Sequence, residues 1–127
     1  MGATMSEDWW NALVTYEMKV ATEHVDPILN HEKTLTVRLD SEWRHVFDRD
    51  ALRWYEAGGE PVAEAVVKRA RTLSLHDAFH VVNAHSGHKS YDEVDAFGAE
   101  LQEYYPDVGI HWDTDLRLIH FEVTDDE

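Results

Sequence analysis

Apolar and polar positions alternate most regularly in "KTLTVRL", residues 33–39. Leu35, Val37 and Leu39 fall on one face and Thr34, Thr36 and Arg38 on the other, a period of two that predicts a half-buried strand. The run Leu13 to Met18 predicts an earlier strand. In "ATEHVDPILN", Val25, Ile28 and Leu29 recur at helical spacing, with Pro27 tolerated only near a first turn or a bend. Residues 50–73, "DALRWYEAGGEPVAEAVVKRARTL", read as two strands joined at Gly58-Gly59, a hairpin signal. Residues 74–89 combine a short helical pattern with a loop around Gly87. In "SYDEVDAFGAELQEYY", Val94, Phe97, Leu101 and Tyr104 mark a helix stripe, Ser90 and Glu93 have the spacing of a capping box, and Pro106 ends the element. "DLRLIHFEV" closes the chain as a strand, with Ile119, Phe121 and Val123 opposed to Leu116, Leu118 and His120. About five strands with two or three interposed helices predict an α+β fold, a small barrel or a strongly bent sheet.

Length and composition narrow this further. A chain of 127 residues, 43% hydrophobic with 14 aromatics, is expected to form one domain with a real core. Residues 1–11 read as a leader and 125–127 as an acidic tail. There are no cysteines, which excludes disulfides and thiolate metal sites. No apolar run reaches the ~18 residues of a membrane span, and no secretory pattern opens the chain, so a soluble cytoplasmic protein is expected. The net charge of −15 has two readings: a surface that repels polyanions, or one adapted to high salt, where carboxylates hold the chain in solution. Acids scattered along the chain, with four lysines against seven arginines, favour the salt-adapted reading.

Cations are therefore scarce, and Lys33 and Arg38 flank two threonines on a single strand. Thr36 and Arg38 share a face, and Lys33 can swing to the same mouth. A desolvated lysine beside a threonine hydroxyl suits a general base, and an arginine fork suits a phosphate or carbonyl. The alternative is a solvated face with Arg38 paired to a carboxylate. Four histidines cluster at His76, His80, His85 and His88. "HDAFH" places two of them four apart but lacks the HExxH form, so no metal is expected. Trp9, Trp10, Trp43, Trp54, Tyr55 and Trp112 are read mainly as core, with one near the Lys33 mouth suited to stacking on a base. No glycine-rich phosphate loop is present.

"ILNHEKTLTVRL" resembles the signature of the ASCH domain, in which a short helix and loop precede a Lys-Thr-x-Thr-x-Arg strand. "FDRDALRWY", "GEPVAEAVVKRARTL", "SGHKSYDEV" and "DLRLIHFEV" resemble the segments that follow in that family, in the same order. The resemblance spans residues 12–124 and implies a small barrel similar to the PUA domain, of five or six strands with two or three flanking helices. It also implies a cleft for RNA, a nucleotide or a nucleoside beside the signature, in which Lys33, Thr34, Thr36, Arg38 and Ser86 contact the ligand, with no cofactor.

The same family includes amidohydrolases of N4-acetylcytidine. Carried over, Lys33 is the base and Thr36 the nucleophile. The family's acid before the loop glycine is replaced here by Ser86, preceded by His85, and Asp77, Asp92 and Glu93 are the nearby carboxylates. Two expectations follow. One is a binding module using Lys33, Thr36 and Arg38; the other is a nucleoside amidohydrolase. A lysine sunk in the cleft near Thr36 with a carboxylate at hand favours catalysis, and a lysine reaching into solvent favours binding.

Overall fold

The computed structural model describes residues 15–56, 59–85 and 89–124; Leu13, Gly58, Ser86, Gly87, His88, the leader and the acidic tail lie outside them. Five strands form one mixed sheet: β1 (Thr15–Val20), β2 (Leu35–Leu39), β3 (Ala51–Glu56), β4 (Pro61–Ser74) and β5 (Asp115–Val123). Their spatial order is β1-β3-β4-β5-β2. Only β1 and β3 run parallel. Four helices accompany them: α1 (Val25–Leu29), led by a 3-10 turn at Thr22–His24, α2 (Asp40–Trp43), α3 (Leu75–Ala84) and α4 (Val94–Tyr104). The sheet curls into a half-barrel whose edge strands, β1 and β2, face each other across an opening. Arg38 of β2 spans that opening, donating from Nη2 to the Lys19 carbonyl of β1 at 3.0 Å.

Alternation on each strand divides the buried apolar residues into two clusters. The inner cluster joins Met18, Leu52, Trp54, Ala65, Val67, Ile119 and Phe121 to Ile28 of α1. The outer one packs Leu35, Leu39, Leu116 and Leu118 against Ala78 and Val82 of α3 and Phe97 and Leu101 of α4. β5 serves both, which is why Leu116 through Ile119 are all buried. The same curl explains a departure from the expected half-buried β2. Its polar face is the inner face of the half-barrel, where Thr36 is 5% exposed, not a solvated surface.

A register shift falls between Val67 and Arg69 of β4. Val67 and Ala65 point into the inner cluster, and simple alternation would send Arg69 and Arg71 after them. The extra residue, Lys68, reverses the parity, so Ala70 packs on the inner cluster and both arginines face outward. On the inner face, buried Arg117 donates to the Val46 carbonyl at 2.6 Å and to Thr72 Oγ1 at 3.0 Å. Thr72 in turn donates to Asp40 Oδ1 at 2.6 Å.

The expected capping box at Ser90 and Glu93 does not form. Asn83 of α3 accepts from the Tyr91 amide at 2.8 Å and donates to its carbonyl at 2.9 Å. That clamp fixes the approach segment outside the helix. α4 starts at Val94, with Glu93 in the N-cap position and no side-chain cap.

Candidate functional site at the open edge of the half-barrel

Beside β2, where the two sheet edges face each other, lies a cleft of about 600 Å³, within the range of small-molecule sites. Its floor and near wall include Lys33, Thr36, Arg38 and Trp54; α4 and the segment before it supply Tyr91, Phe97, Glu100, Tyr104 and Tyr105.

Lys33 is placed by the turn after α1. His31 adopts φ 63°, and the amides of Glu32 and Lys33 both donate to the Pro27 carbonyl, at 2.8 and 3.0 Å. This reversal, at the left-handed position that commonly ends helices, brings the lysine back over the start of β2. Its Nζ donates to the Leu35 carbonyl at 3.1 Å, the peptide immediately before Thr36. Burial, then the Arg38 charge, pull the ammonium from 10.5 down to about 8, while Glu100 opposes the fall.

Arg38 donates from Nε to Thr36 Oγ1 at 3.3 Å. A hydroxyl that accepts from a guanidinium keeps its own proton to give elsewhere. Burial also lowers Arg38 from its ordinary value, against the pull of Tyr105 and Tyr104; it stays charged. Glu100 accepts from the Tyr91 hydroxyl at 2.6 Å and from Lys89 Nζ. Burial, then Glu100, push the Tyr91 phenol up, so it remains a neutral donor. The cleft can therefore offer a lysine with a neutral fraction near pH 8, a buried hydroxyl, a fixed guanidinium, one carboxylate and an aromatic wall.

Among the residues singled out in the sequence, Lys33, Thr36, Arg38 and Trp54 meet in this cleft. Thr34 does not line it; its Oγ1 is 2.8 Å from His85 Nε2 on the outer face. Ser86 and His88 lie outside the described residues, as do Trp9 and Trp10. His76 and His80 share a face of α3 with ring centroids 5.1 Å apart, yet no group of three metal-ligating side chains forms among the described residues. Trp43 stacks on His45, Tyr55 donates to Glu17, and Trp112 is 68% exposed. Asp77, Asp92 and Glu93 are exposed and outside the cleft lining. The carboxylate that is present, Glu100, was missed. Its signal was its place in the stripe Phe97, Glu100, Leu101, Tyr104, a lone acid where the helix spacing calls for an apolar residue.

No protein-family model matches the chain, and no curated protein does. Solved structures do. The hypothetical protein PH0355 is 17% identical with a TM-score of 0.68, covering 87% of this chain and 100% of its own. The ASCH domain from Lactobacillus crispatus JV V101 is 12% identical with a TM-score of 0.64, covering 97% of this chain and 86% of its own. Protein EF3133 from Enterococcus faecalis V583 is 16% identical, also at 0.64, covering 98% and 95%. Among the described residues no helix is long and apolar enough to cross a membrane. The chain has the fold of an ASCH domain, the small α+β half-barrel that its signature resembles.

Proposed function

We propose that the cleft binds a nucleoside or nucleotide, its base against the aromatic wall and its polar groups on Lys33, Thr36 and Arg38. One observation carries the reading. In a chain of net charge −15, the cleft lining holds Lys19, Lys33, Arg38 and Lys89 against the single acid Glu100. A concave site of this sign concentrates anionic or carbonyl-bearing ligands, while the acidic remainder disfavours long polyanions. Tyr91, Tyr104 and Tyr105, which keep exposed surface, give the base its stacking wall, with buried Phe97 and Trp54 behind it.

Calorimetric titration with cytidine and cytidine 5′-monophosphate tests this, using the native protein and Tyr104→Ala. Tyr104 is 58% exposed, so its truncation leaves the core intact. Loss of one stacking partner should weaken binding by about tenfold. A folded native protein that takes up neither ligand at millimolar concentration refutes the reading.

A second reading, hydrolysis of an N4-acylated cytidine, is favoured by Lys33 at about 8 with Glu100 in the same cleft. Neutral Lys33 removes the Thr36 proton, Oγ1 attacks the acetyl carbonyl, and the C–N bond breaks as the amine leaves with a proton. Water then cleaves the acyl-threonine to acetate. Turnover should rise with pH through about 8 and vanish in Lys33→Met. Turnover retained in that variant would remove lysine from the chemistry.

A further inference from the structure

The outer face of the sheet carries a second concentration of positive charge, separate from the cleft lining. The bulge at Lys68 turns Arg69 and Arg71 outward on β4. Arg69 lies opposite His120 of β5, and His120 lies opposite Leu35 of β2. The His85 ring, at the end of α3, sits 5.5 Å from that of His120, and its Nε2 meets Thr34, the neighbour of Lys33. A row of basic groups thus runs across two adjacent strands, about 5 Å at the usual strand spacing, and continues through His85 to Thr34, beside the cleft residue Lys33.

The row is unusual for what it lacks. The chain has 26 acids, yet neither Arg69 nor Arg71 forms an ion pair among the described residues. Glu122, on the same face, is engaged by Lys68 at 3.6 Å. Arg71 Nε and His120 Nε2 are buried with no hydrogen-bond partner among the described residues. Burial first, then Arg71, His85 and Arg69, hold the His120 imidazole below its ordinary value, and burial, then Lys33, do the same to His85. Burial, then Arg69, lower Arg71. The neighbours that move these three groups, Arg69, Arg71, His85 and Lys33, are all basic, and no carboxylate among the described residues acts on them. Two neighbouring guanidiniums with no carboxylate between them, beside those two unpartnered buried nitrogens, leave donors that an anion would satisfy. The C-terminal carbonyls of α3 can serve one cation beside His85, but Arg69 is exposed and stands further out along the row.

We propose that Arg69, Arg71 and His120 form an anion site that takes a phosphodiester of a ligand whose base lies in the cleft, so that the protein prefers a short oligonucleotide to a free nucleoside. The preference rests on the cleft reading; the anion site itself does not. Lys33 and Thr34 join the two, one contributing to the cleft and the other to the row through His85.

The test compares native protein with the double variant Arg69→Gln, Arg71→Gln. Arg53→Gln is the control, an exposed arginine already paired with Glu64 at 2.9 Å. Each is titrated with cytidine and with the dinucleotide cytidylyl-cytidine. The native protein and the control should bind the dinucleotide at least tenfold more tightly than cytidine. The double variant should lose that advantage while binding cytidine unchanged. A dinucleotide preference that survives in the double variant, or is absent from the native protein, overturns the proposal. So does an equal loss in the control.

A parallel titration with inorganic pyrophosphate, read on the histidine ring resonances, separates the two sites. His120 should shift in the native protein and stay still in the double variant. If cytidine fails to bind and the His120 shift persists, the cleft reading falls and the anion site stands. If no ring resonance moves with pyrophosphate, the anion site falls. A double variant that only melts earlier, with unaltered dinucleotide and pyrophosphate binding, assigns the arginines to the α3 terminus and refutes the site.

Discussion

Replacing Lys33 with methionine should stabilise the protein at neutral pH and destabilise it in alkali. Burial and Arg38 take Lys33 from 10.5 to about 8 in the folded chain, equivalent to roughly 3 kcal/mol of cost for keeping the ammonium there. The pH window follows from the direction of the shift. Below pH 8 folded and unfolded chains both hold the proton, and the folded state bears the whole cost. Between 8 and 10.5 the unfolded chain holds more protons, so stability rises with pH; above 10.5 both are neutral and the cost is gone. Methionine of similar length removes the charge and also the bond to the Leu35 carbonyl, a loss of about 1 kcal/mol at every pH. The variant should therefore be more stable by about 2 kcal/mol at pH 7 and less stable by about 1 kcal/mol above 10.5, with a crossing near pH 10. Urea unfolding of both proteins from pH 7 to 11 gives the difference directly, and titrations common to the two cancel. A difference that stays constant with pH, or a native protein that is the more stable at pH 7, would show that Lys33 is not desolvated.

Two further predictions concern the frame around the site. Deleting Lys68 removes the extra residue and leaves a regular strand with Ala70 still inward and Arg69 and Arg71 still outward, so a cooperative thermal transition is expected to persist. Lys68→Ala keeps the bulge and loses only an exposed pair with Glu122, so its melting curve should match the native one within about 0.5 kcal/mol. At the helix starts, Ser74 Oγ accepts from the Asp77 amide at 3.2 Å whereas Glu93 makes no cap bond. Urea denaturation should therefore show Ser74→Ala costing about 1 kcal/mol and Glu93→Ala close to nothing.

What could be read from the sequence was whatever short-range periodicity determines. The alternation at Leu35, Val37 and Leu39 located β2, the Gly58-Gly59 pair located the β3–β4 connection, and Phe97 and Leu101 located the buried stripe of α4. What could not be read was set by contacts between distant segments. Thr36 and Arg38 look like a solvated face until β1 comes round to meet them. Ser90 and Glu93 have capping-box spacing, but Asn83 holds Tyr91 in place from another helix. The "VVKRAR" run, residues 66–71, does not show its own bulge. Its parity is fixed only by pairing with β5, and Glu100 becomes a site residue only because α4 lies over the β2 edge.

The same contrast explains how so acidic a chain presents basic sites. Three of its four lysines, Lys19, Lys33 and Lys89, line one cleft, and the fourth, Lys68, occupies the bulge that sets two arginines facing outward. Of the seven arginines, Arg38 bridges the sheet edges above the same cleft and Arg117 is consumed by the inner network with Thr72 and the Val46 carbonyl. Composition reports an average that would argue against any polyanionic ligand. The fold spends its few cations where two strand edges meet and where one strand changes parity, and a ligand samples that local field over a Debye length of about 10 Å or less. An anionic ligand should thus be held at the cleft and the adjoining row and rejected elsewhere, a selectivity that a uniformly basic surface cannot supply.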